Sequence, residues 1–337
     1  KNFRLERGVQ FILRHEEEYG SVSRVTIGDN VTVQQNVSIH LKGKGEVVVE
    51  NGVIFDYPVS FTLEDGESLH VEEGIIQEIR SLLEIHDSAA DVVAQYKEFV
   101  RSREFQKAFL IRKLMDSFIQ NEPDFSSLYK SAVWVRDQIQ QVLRSELIQF
   151  LKEVLGISEV SITESHEGAY FWIRDQVVRK QGEELQLIVF DAHNDRDAHY
   201  ARLNEGNWVS DVISEHLVAE QNYHWVSPRW LDPKFSGPNA ESVEQVLQKL
   251  KGKGPVLVSI DFDYFSSSTL EHKPSWKEIQ ERVDEIVAAI STLVPNVRGV
   301  HLTSSKGYVH PEDIERIEQA FITSLAKKIA DLASANG

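Results

Sequence analysis

Residues 187–200, LIVFDAHNDRDAHY, join a short apolar run to a dense group of acids and histidines. The apolar run predicts a buried strand. Asp191, His193 and Asp195 follow it at two-residue steps, so an extended chain would place all three side chains on one side. Burying an unpaired carboxylate costs several kcal/mol. The stretch therefore predicts a positively charged partner, such as a metal ion, at the end of this strand.

Two further stretches carry ligand-type side chains after strand-like runs. In VLVSIDFDYF (256–265), Asp261 and Asp263 are again two residues apart. In SITESHEGAYFW (161–172), His166 comes directly after a strand-like run. Each signal alone is weak, since acids in loops and single core histidines are common. Parallel strands bring their carboxyl ends to one edge of a sheet, so the combination predicts a shared site.

The charge count at this edge favours two metal ions. Four carboxylates that converge without cations would repel one another, and some would have to take up protons. Two divalent cations balance them, and two neutral imidazoles complete the ligand set. Carboxylate and imidazole without sulfur suit two Mn²⁺ ions per chain, with Fe²⁺, Co²⁺ or Zn²⁺ as possible substitutes. The predicted metal ligands are His166, Asp191, His193, Asp195, Asp261 and Asp263.

Composition excludes several other classes of protein. The chain of 337 residues has a net charge of −17, which disfavours nucleic acid and anionic membrane as partners. It contains no cysteine, which rules out disulfides, thiolate catalysis and zinc–thiolate sites. We find no signal peptide and no apolar run of about 18 residues, so we expect a cytoplasmic protein.

The N-terminal region, residues 1–73, is predicted to be β-rich. Apolar residues recur at a step of six, as in Val25, Val31 and Val37, and the step restarts at Val47 after the turn KGKGE. A step of six is compatible with the stacked rungs of a β-solenoid. It is equally compatible with a meander of ordinary strands joined by the turns GDN, ENG and EDG. In either form we expect a structural or substrate-presenting module.

The rest of the chain divides into a helical region, 74–156, and an alternating region, 157–337. Long tracts with apolar residues at helical spacing fill the first, and they stop at Gly156. In the second, apolar strands alternate with helical tracts at 209–219, 240–250 and 276–293. This alternation predicts an α/β fold in which helices cover both faces of a parallel sheet, a three-layer αβα arrangement.

The motifs DAHND and SIDFD, preceded by a single histidine, resemble those of the ureohydrolase superfamily of arginases and agmatinases. Those motifs have the form D-A-H-x-D and S-x-D-x-D. TESHEGAYFW, FDAHNDRD, GNW and IDFDYF are closer still to the ureohydrolase-like branch that includes the peptide arginases. The resemblance covers residues 157–312. It implies an arginase/deacetylase-like sheet and a hydrolase that releases urea from arginine within a peptide, leaving ornithine.

The resemblance also implies a role for each ligand. Asp191 and Asp261 would bridge the two ions. His166 and Asp195 would complete one site, and His193 and Asp263 the other. A hydroxide held between the ions would attack the guanidinium carbon.

The sequence departs from arginases that act on free arginine. Asp197 stands two residues beyond Asp195, EGNWVSD takes the place of a later histidine, and VHLTSSKGY lacks the guanidinium-binding glutamate. The sequence therefore does not identify the carboxylate that binds the guanidinium. The candidates are Glu164, Glu167, Asp197 and Glu205. Asn207 is a further candidate for substrate binding, although it most simply caps the helix that begins near Trp208. Possible proton shuttles are His199, His216, His301 and His310.

The leading hypothesis is a dimanganese hydrolase of a peptide or small cationic guanidino substrate, and a homo-oligomer is compatible with it. One alternative is a deacetylase-like amidohydrolase with a single zinc. Another is a non-catalytic binding protein that retains a metal site. Metal content per chain separates the three.

Overall fold

The computed structural model describes residues 4–5, 10–16, 24–42, 44–64, 66–85, 88–179, 184–196, 203–204, 206–235, 237, 239–270, 273–294 and 296–335. Two compact units make up the chain. One contains Lys1–Glu146 and Ser275–Lys277, and the other contains Leu147–Pro274 and Glu278–Gly337. The division into three domains at 73 and 156 stays a prediction.

The β-rich region forms a parallel β-solenoid. Its described residues form the strands β1 (Arg4–Leu5), β2 (Phe11–Glu16), β3 (Arg24–Ile27), β4 (Thr32–Val33), β5 (Val37–Lys42), β6 (Glu46–Val49), β7 (Ile54–Phe55), β8 (Val59–Leu63) and β9 (Ser68–Val71). They stack as three sheets, in the orders β1-β4-β7, β2-β5-β8 and β3-β6-β9, and all their pairs are parallel. The meander alternative is wrong, because it requires antiparallel neighbours.

The apolar residues that recur at a step of six face the inside of this solenoid. Val37 pairs with Val59, so the last turn takes 22 residues, whereas the turn before it, from Phe11 to its partner Val37, takes 26. Inward-facing side chains alternate with outward-facing ones along β5 and β8. The apolar residues of the series from Val31 onward are fully buried, among them Ile39, Val47 and Phe61. Stacked apolar layers therefore form the core of this module.

Four helices follow: α1 (Ile75–Glu84), α2 (Ala89–Arg101), α3 (Phe105–Asn121) and α4 (Ser127–Leu155). α3 packs on β8 and β9, the last strands of their sheets. Ser117 Oγ accepts from the backbone N–H of Ser60 at 2.8 Å, and Lys113 Nζ donates to the carbonyl of Thr62 at 2.7 Å. Side chains of α3 thus satisfy backbone groups on the solenoid's last edge, which would otherwise remain open to pairing.

The second unit contains one six-stranded sheet in which every pair is parallel. Its order is β10-β15-β14-β11-β12-β13. The strands are β10 (Glu159–Thr163), β11 (Gln186–Phe190), β12 (Tyr223–Val226), β13 (Ala240–Glu241), β14 (Val256–Asp261) and β15 (Val297–Thr303). The helices are α5 (Glu167–Arg179), α6 (Trp208–Ser214), α7 (Val243–Leu250), α8 (Trp276–Leu293) and α9 (Pro311–Ala335). The predicted α/β class is confirmed.

Helices cover both faces of this sheet. Leu187 and Val189 of β11 share one buried cluster with residues of α5 and α6. Their neighbours Ile188 and Phe190 face residues of α7 and α8 across a small apolar cavity. Because successive side chains of a strand point to opposite faces, the two helix layers lie on opposite sides. The predicted three-layer αβα arrangement is confirmed.

Two predicted helices have different bounds. The tract 209–219 is helical only as far as Ser214, and His216 has a left-handed φ of 57°, which an α-helix does not tolerate. The tract 240–250 begins as β13. α7 starts only after Ser242, whose hydroxyl accepts from the backbone of Gln245 in a capping box. No helix of the described residues is long and apolar enough to cross a membrane.

Candidate metal centre

The site lies where the connections of the sheet change direction. From β11 the chain proceeds outward to β12 and β13, then returns to β14 on the other side of β11 and continues to β15. Parallel sheets form a crevice at such a switch point, beyond the carboxyl ends of the strands. Asp191 follows β11 directly, and Asp261 ends β14. The topology therefore brings the two predicted motifs side by side.

His166 is the centre of a buried cluster. Its Nδ1 lies 2.9 Å from Asp191 Oδ2, 3.0 Å from Asp195 Oδ2 and 2.9 Å from Asp261 Oδ2. All four residues are buried. Burial lowers the pKa of His166, but the charges of Asp261 and Asp191 and the bonds to its carboxylate neighbours outweigh it and raise this pKa well above its ordinary value. One position thus has an imidazole nitrogen and three carboxylate oxygens around it.

A second group lies beside the first. His193 Nδ1 is 2.9 Å from Asp263 Oδ2 and 3.7 Å from Asp191 Oδ1. The pKa of His193 is raised, chiefly by its hydrogen bond to Asp263. Asp191 belongs to both groups, since one of its oxygens faces His166 and the other faces His193.

The chain holds these carboxylates by donors from its own backbone and side chains. Asp191 Oδ1 accepts from the N–H of His193 at 2.7 Å, and Asp261 Oδ1 accepts from the N–H of Asp263 at 2.9 Å. Asp263 Oδ1 accepts from the N–H of Ala192 at 3.0 Å. The D-x-H and D-x-D spacings therefore do more than supply ligands. Each motif's first carboxylate is oriented by the backbone two residues on.

Asp195 reaches the cluster by a reversal of the chain rather than by strand alternation. Its φ is 46°, in the left-handed region, so the predicted extended path ends before it. Its carbonyl accepts from the N–H of Val209 at 3.2 Å, and its Oδ2 accepts from Trp208 Nε1 at 2.5 Å. The start of α6 therefore fixes this carboxylate in place.

This arrangement also corrects the predicted cap. Asn207 does occupy the position before α6, but its side chain makes no capping bond. Its Oδ1 accepts instead from the backbone N–H of Asn204 at 2.8 Å. The Asp195 carbonyl takes the N–H of Val209 in the first turn of α6, which reduces the need for a side-chain cap.

A cavity of about 280 Å³ opens onto the two groups. Its described wall consists of His166, Asp191, His193, Asn194, Asp195, Gly206, Asp261, Asp263, Ser305 and Tyr308. All six predicted metal ligands thus line one space. Glu164, Glu167 and Asn207 are not part of this described wall, and Glu164 pairs instead with Lys306 at 2.6 Å. Asp197, Glu205 and His199 lie outside the described residues.

The residues present fit divalent cations. Burial and the charges of Asp195 and Asp263 raise the pKa of Asp191 well above its ordinary value, and burial and Asp261 raise the pKa of Asp263. Asp191 Oδ2 is buried, and its neighbour His166 Nδ1 also faces oxygens of Asp195 and Asp261, so a single N–H cannot satisfy all three carboxylates. A cation would offset the repulsion between these carboxylates and would bind the carboxylate oxygens that lack a donor. The donor set of imidazole and carboxylate suits Mn²⁺ and its first-row neighbours.

Sequence reasoning missed several residues that orient the ligands. Ser305 Oγ donates to Asp261 Oδ2 at 2.5 Å, and Trp225 Nε1 donates to the carbonyl of Asp191 at 3.0 Å. Ser259 Oγ lies 3.3 Å from His166 Nε2. Only Ser259 left a signal, because it stands two residues before Asp261 on one strand and so shares its face.

Comparisons with known proteins leave the family open. No family model and no curated protein matches the sequence. Among solved structures, a hypothetical agmatinase from Burkholderia thailandensis is 19% identical, covers 57% of this chain and 66% of its own, and has a TM-score of 0.37. Formimidoylglutamase from Bacillus subtilis is 15% identical, with coverages of 58% and 68% and a TM-score of 0.35. Arginase from Bacillus cereus is 13% identical, with coverages of 56% and 78% and a TM-score of 0.36. These values do not place the chain in a family.

Proposed function

We propose that the chain is a binuclear-metal hydrolase of guanidino groups. The observation that carries the proposal is the position of Asp191, whose two carboxylate oxygens face two different histidines. Each histidine has a further carboxylate beside it, Asp261 for His166 and Asp263 for His193. A single-cation site, as in the deacetylase alternative, does not require the second group, His193 and Asp263.

In this proposal His166, Asp195 and Asp261 hold one cation, His193 and Asp263 hold the other, and Asp191 belongs to both sites. When bound, two divalent cations would supply a nucleophile at neutral pH by lowering the pKa of water. Mn²⁺ is the expected metal, and its identity is part of the proposal.

The chain's own residues keep the ligands in position. Ser305, Trp208 and the backbone N–H groups of the two motifs fix the carboxylates by hydrogen bonds, so little reorganisation is needed when substrate enters. The half-exposed ring of Tyr308 lies at the cavity wall near His193, with ring centroids 6.4 Å apart. A planar guanidinium can stack on such a ring.

The proposed reaction adds one water to a substituted guanidinium. The bond between the guanidinium carbon and the substituted nitrogen breaks, urea leaves, and the alkyl ammonium retains the positive charge. For an arginine side chain the product is ornithine. The guanidino assignment rests on the motifs DAHND and SIDFD together with an acidic cavity suited to a cation.

We further propose that the arginine belongs to a peptide or protein. Free arginine carries an α-carboxylate and an α-ammonium, and sites that select it pair both groups with hydrogen-bonding or charged partners. The described wall of the cavity contains no lysine and no arginine. A peptidyl arginine has no such carboxylate to satisfy. Homo-oligomerisation and a cytoplasmic location stay predictions.

Urea release tests the proposal. Mn²⁺-loaded protein is incubated with free arginine, agmatine and a panel of arginine-containing peptides, and Asp263→Asn serves as the control for contaminating activity. We expect urea from at least one peptide and slower turnover of free arginine. Faster turnover of free arginine than of every peptide defeats the peptide assignment. Acetate from acetylated amines with no urea from any substrate would support the deacetylase alternative, and absence of both products the binding-protein alternative.

A further inference from the structure

His301 is a buried histidine that the proposed reaction does not use. It lies on β15, its side chain is fully buried, and the described cavity wall does not include it. Its Nδ1 is 3.4 Å from Ser259 Oγ and 3.3 Å from Thr303 Oγ1, and its Nε2 is 3.1 Å from Thr163 Oγ1. Ser259 also contacts His166, so His301 is linked to the metal cluster through one hydroxyl.

Thr163, at the end of this chain of contacts away from His166, determines the direction of the hydrogen bonds. Thr163 Oγ1 donates its only proton to the carbonyl of Ser165 at 2.9 Å. It can therefore only accept from His301, which places a proton on His301 Nε2. A neutral His301 then has a bare Nδ1 that accepts from Ser259, and the Ser259 oxygen accepts in turn from His166 Nε2–H.

The surroundings keep His301 neutral. Burial and the nearby His166 lower the pKa of His301 to about 3. Within the described residues, the hydrogen-bond contacts of His301 are with three hydroxyls and not with a carboxylate. Trp172 stacks on its ring, with centroids 5.5 Å apart. Gly299 leaves room for that indole, because a Cβ there would meet Trp172 Cζ2 at 2.7 Å.

We propose that His301 is a positioning residue that acts through Ser259 on His166. The relay Thr163–His301–Ser259 holds the proton of His166 on Nε2 and thereby leaves Nδ1 to the metal. The inference rests on the proposed metal centre. A ligand histidine whose second nitrogen has a fixed partner keeps its tautomer and ring orientation, and loss of such a partner typically weakens metal binding about 10- to 100-fold.

The first test does not depend on the metal centre. In full-length protein with ¹⁵N-labelled histidine, NMR of the imidazole nitrogens reports which atom of each ring carries the proton, and His301→Gln identifies the His301 signals by their loss. We expect neutral His301 with its proton on Nε2. A proton on Nδ1 overturns the relay, whether or not the protein binds metal.

The second test measures Mn²⁺ binding from the free-ion EPR signal. Thr163→Val, which keeps the shape but loses the hydroxyl, and Ser259→Ala should each weaken one of the two sites about 10- to 100-fold. Thr163→Ser, which restores the hydroxyl, should bind as the unmodified chain does. Unchanged binding in Thr163→Val and Ser259→Ala, with two ions still present, overturns the relay while the metal centre stands.

Thr303→Val is the matched control, because it removes the other hydroxyl beside His301 Nδ1 without breaking the relay. It should leave Mn²⁺ binding unchanged. If Thr303→Val weakens Mn²⁺ binding as much as Ser259→Ala does, Thr303 is the hydroxyl that donates to His301 Nδ1, and the proposal is overturned. If the unmodified chain binds no divalent cation, the proposed function fails, and the tautomer of His301 still decides the relay.

Discussion

His193 and Asp263 are 2.9 Å apart, Nδ1 to Oδ2, yet 49% of the His193 side chain is exposed while Asp263 is buried. His166, the other histidine of the cluster, is exposed by only 3% of its side chain. The two proposed cation positions therefore differ in their access to water.

We predict that the two cations leave the protein at different rates. The one beside His193 should be removed first by a chelator, because solvent and chelator reach it directly. His193→Ala should retain one ion per chain, and Asp191→Ala, which removes the carboxylate shared by both groups, should retain none. Metal analysis after gel filtration measures this. Two ions retained by Asp191→Ala would contradict the shared role.

We predict that the metal-free protein becomes less stable as pH rises. Asp191 and Asp263 have raised pKa values in the folded chain, so folding favours their protonated forms. That stabilisation is present below the unfolded pKa of about 4 and is lost as pH rises through the folded values. Bound cations replace the protons and should remove this dependence.

Thermal unfolding between about pH 5 and pH 8, with EDTA or with Mn²⁺, checks this dependence. Asp191→Asn removes one of the titrating groups and should show a shallower loss of Tm with pH in EDTA. A metal-free Tm that rises over this range more than that of Asp191→Asn would contradict the prediction.

We predict that Ser305→Ala weakens metal binding about tenfold, because Asp261 Oδ2 loses the hydroxyl that orients it. Ser268→Ala is the matched control, since Ser268 is exposed and bonds the carbonyl of Gly307. Mn²⁺ titration of both variants separates the two effects. Equal affinity in both would show that the Ser305 contact has no role in binding.

We predict that Tyr308→Ala raises KM for guanidino substrates about fivefold with little change in kcat, while Tyr308→Phe leaves both unchanged. The reason is the loss of a stacking surface worth about 1 kcal/mol for a cation. Steady-state urea release from the best peptide measures it. A fall in kcat for Tyr308→Phe would instead point to a role for the hydroxyl.

We predict that Lys113→Ala destabilises the chain by about 3 kcal/mol, because Glu67 is a buried carboxylate and loses the ammonium group that lies 2.9 Å from it. Lys107→Ala, at a partly exposed ion pair, should cost less than about 1 kcal/mol. Urea denaturation of both variants gives the comparison. Similar midpoints would show that Glu67 is satisfied by other groups.

The sequence was sufficient to predict which residues meet at the sheet edge, because a ligand that directly follows a strand has its position set by the topology. Asp191 and Asp261 are examples. The step of six was also sufficient to predict a β-rich region. It did not decide between solenoid and meander, because that choice depends on strand pairing, which periodicity does not determine.

The remaining parts of the site depend on loop conformation and on distant contacts. Ser305 and Gly307 both have positive φ, and that conformation carries Ser305 to Asp261, 44 residues away in sequence. Asp195 reaches His166 through a left-handed residue conformation that no spacing rule predicts. The relay through His301 joins residues from three strands, and nothing local in VHLTSS marks it.

The contact between α3 and the end of the solenoid has a consequence for how this protein can vary in length. The hydrogen bonds of Ser60 and Thr62 to α3 involve only the last turn, and each turn pairs only with its neighbours. A 22-residue unit duplicated or deleted ahead of that turn would leave the junction with α3 unaltered. The solenoid can therefore lengthen or shorten in evolution by whole turns.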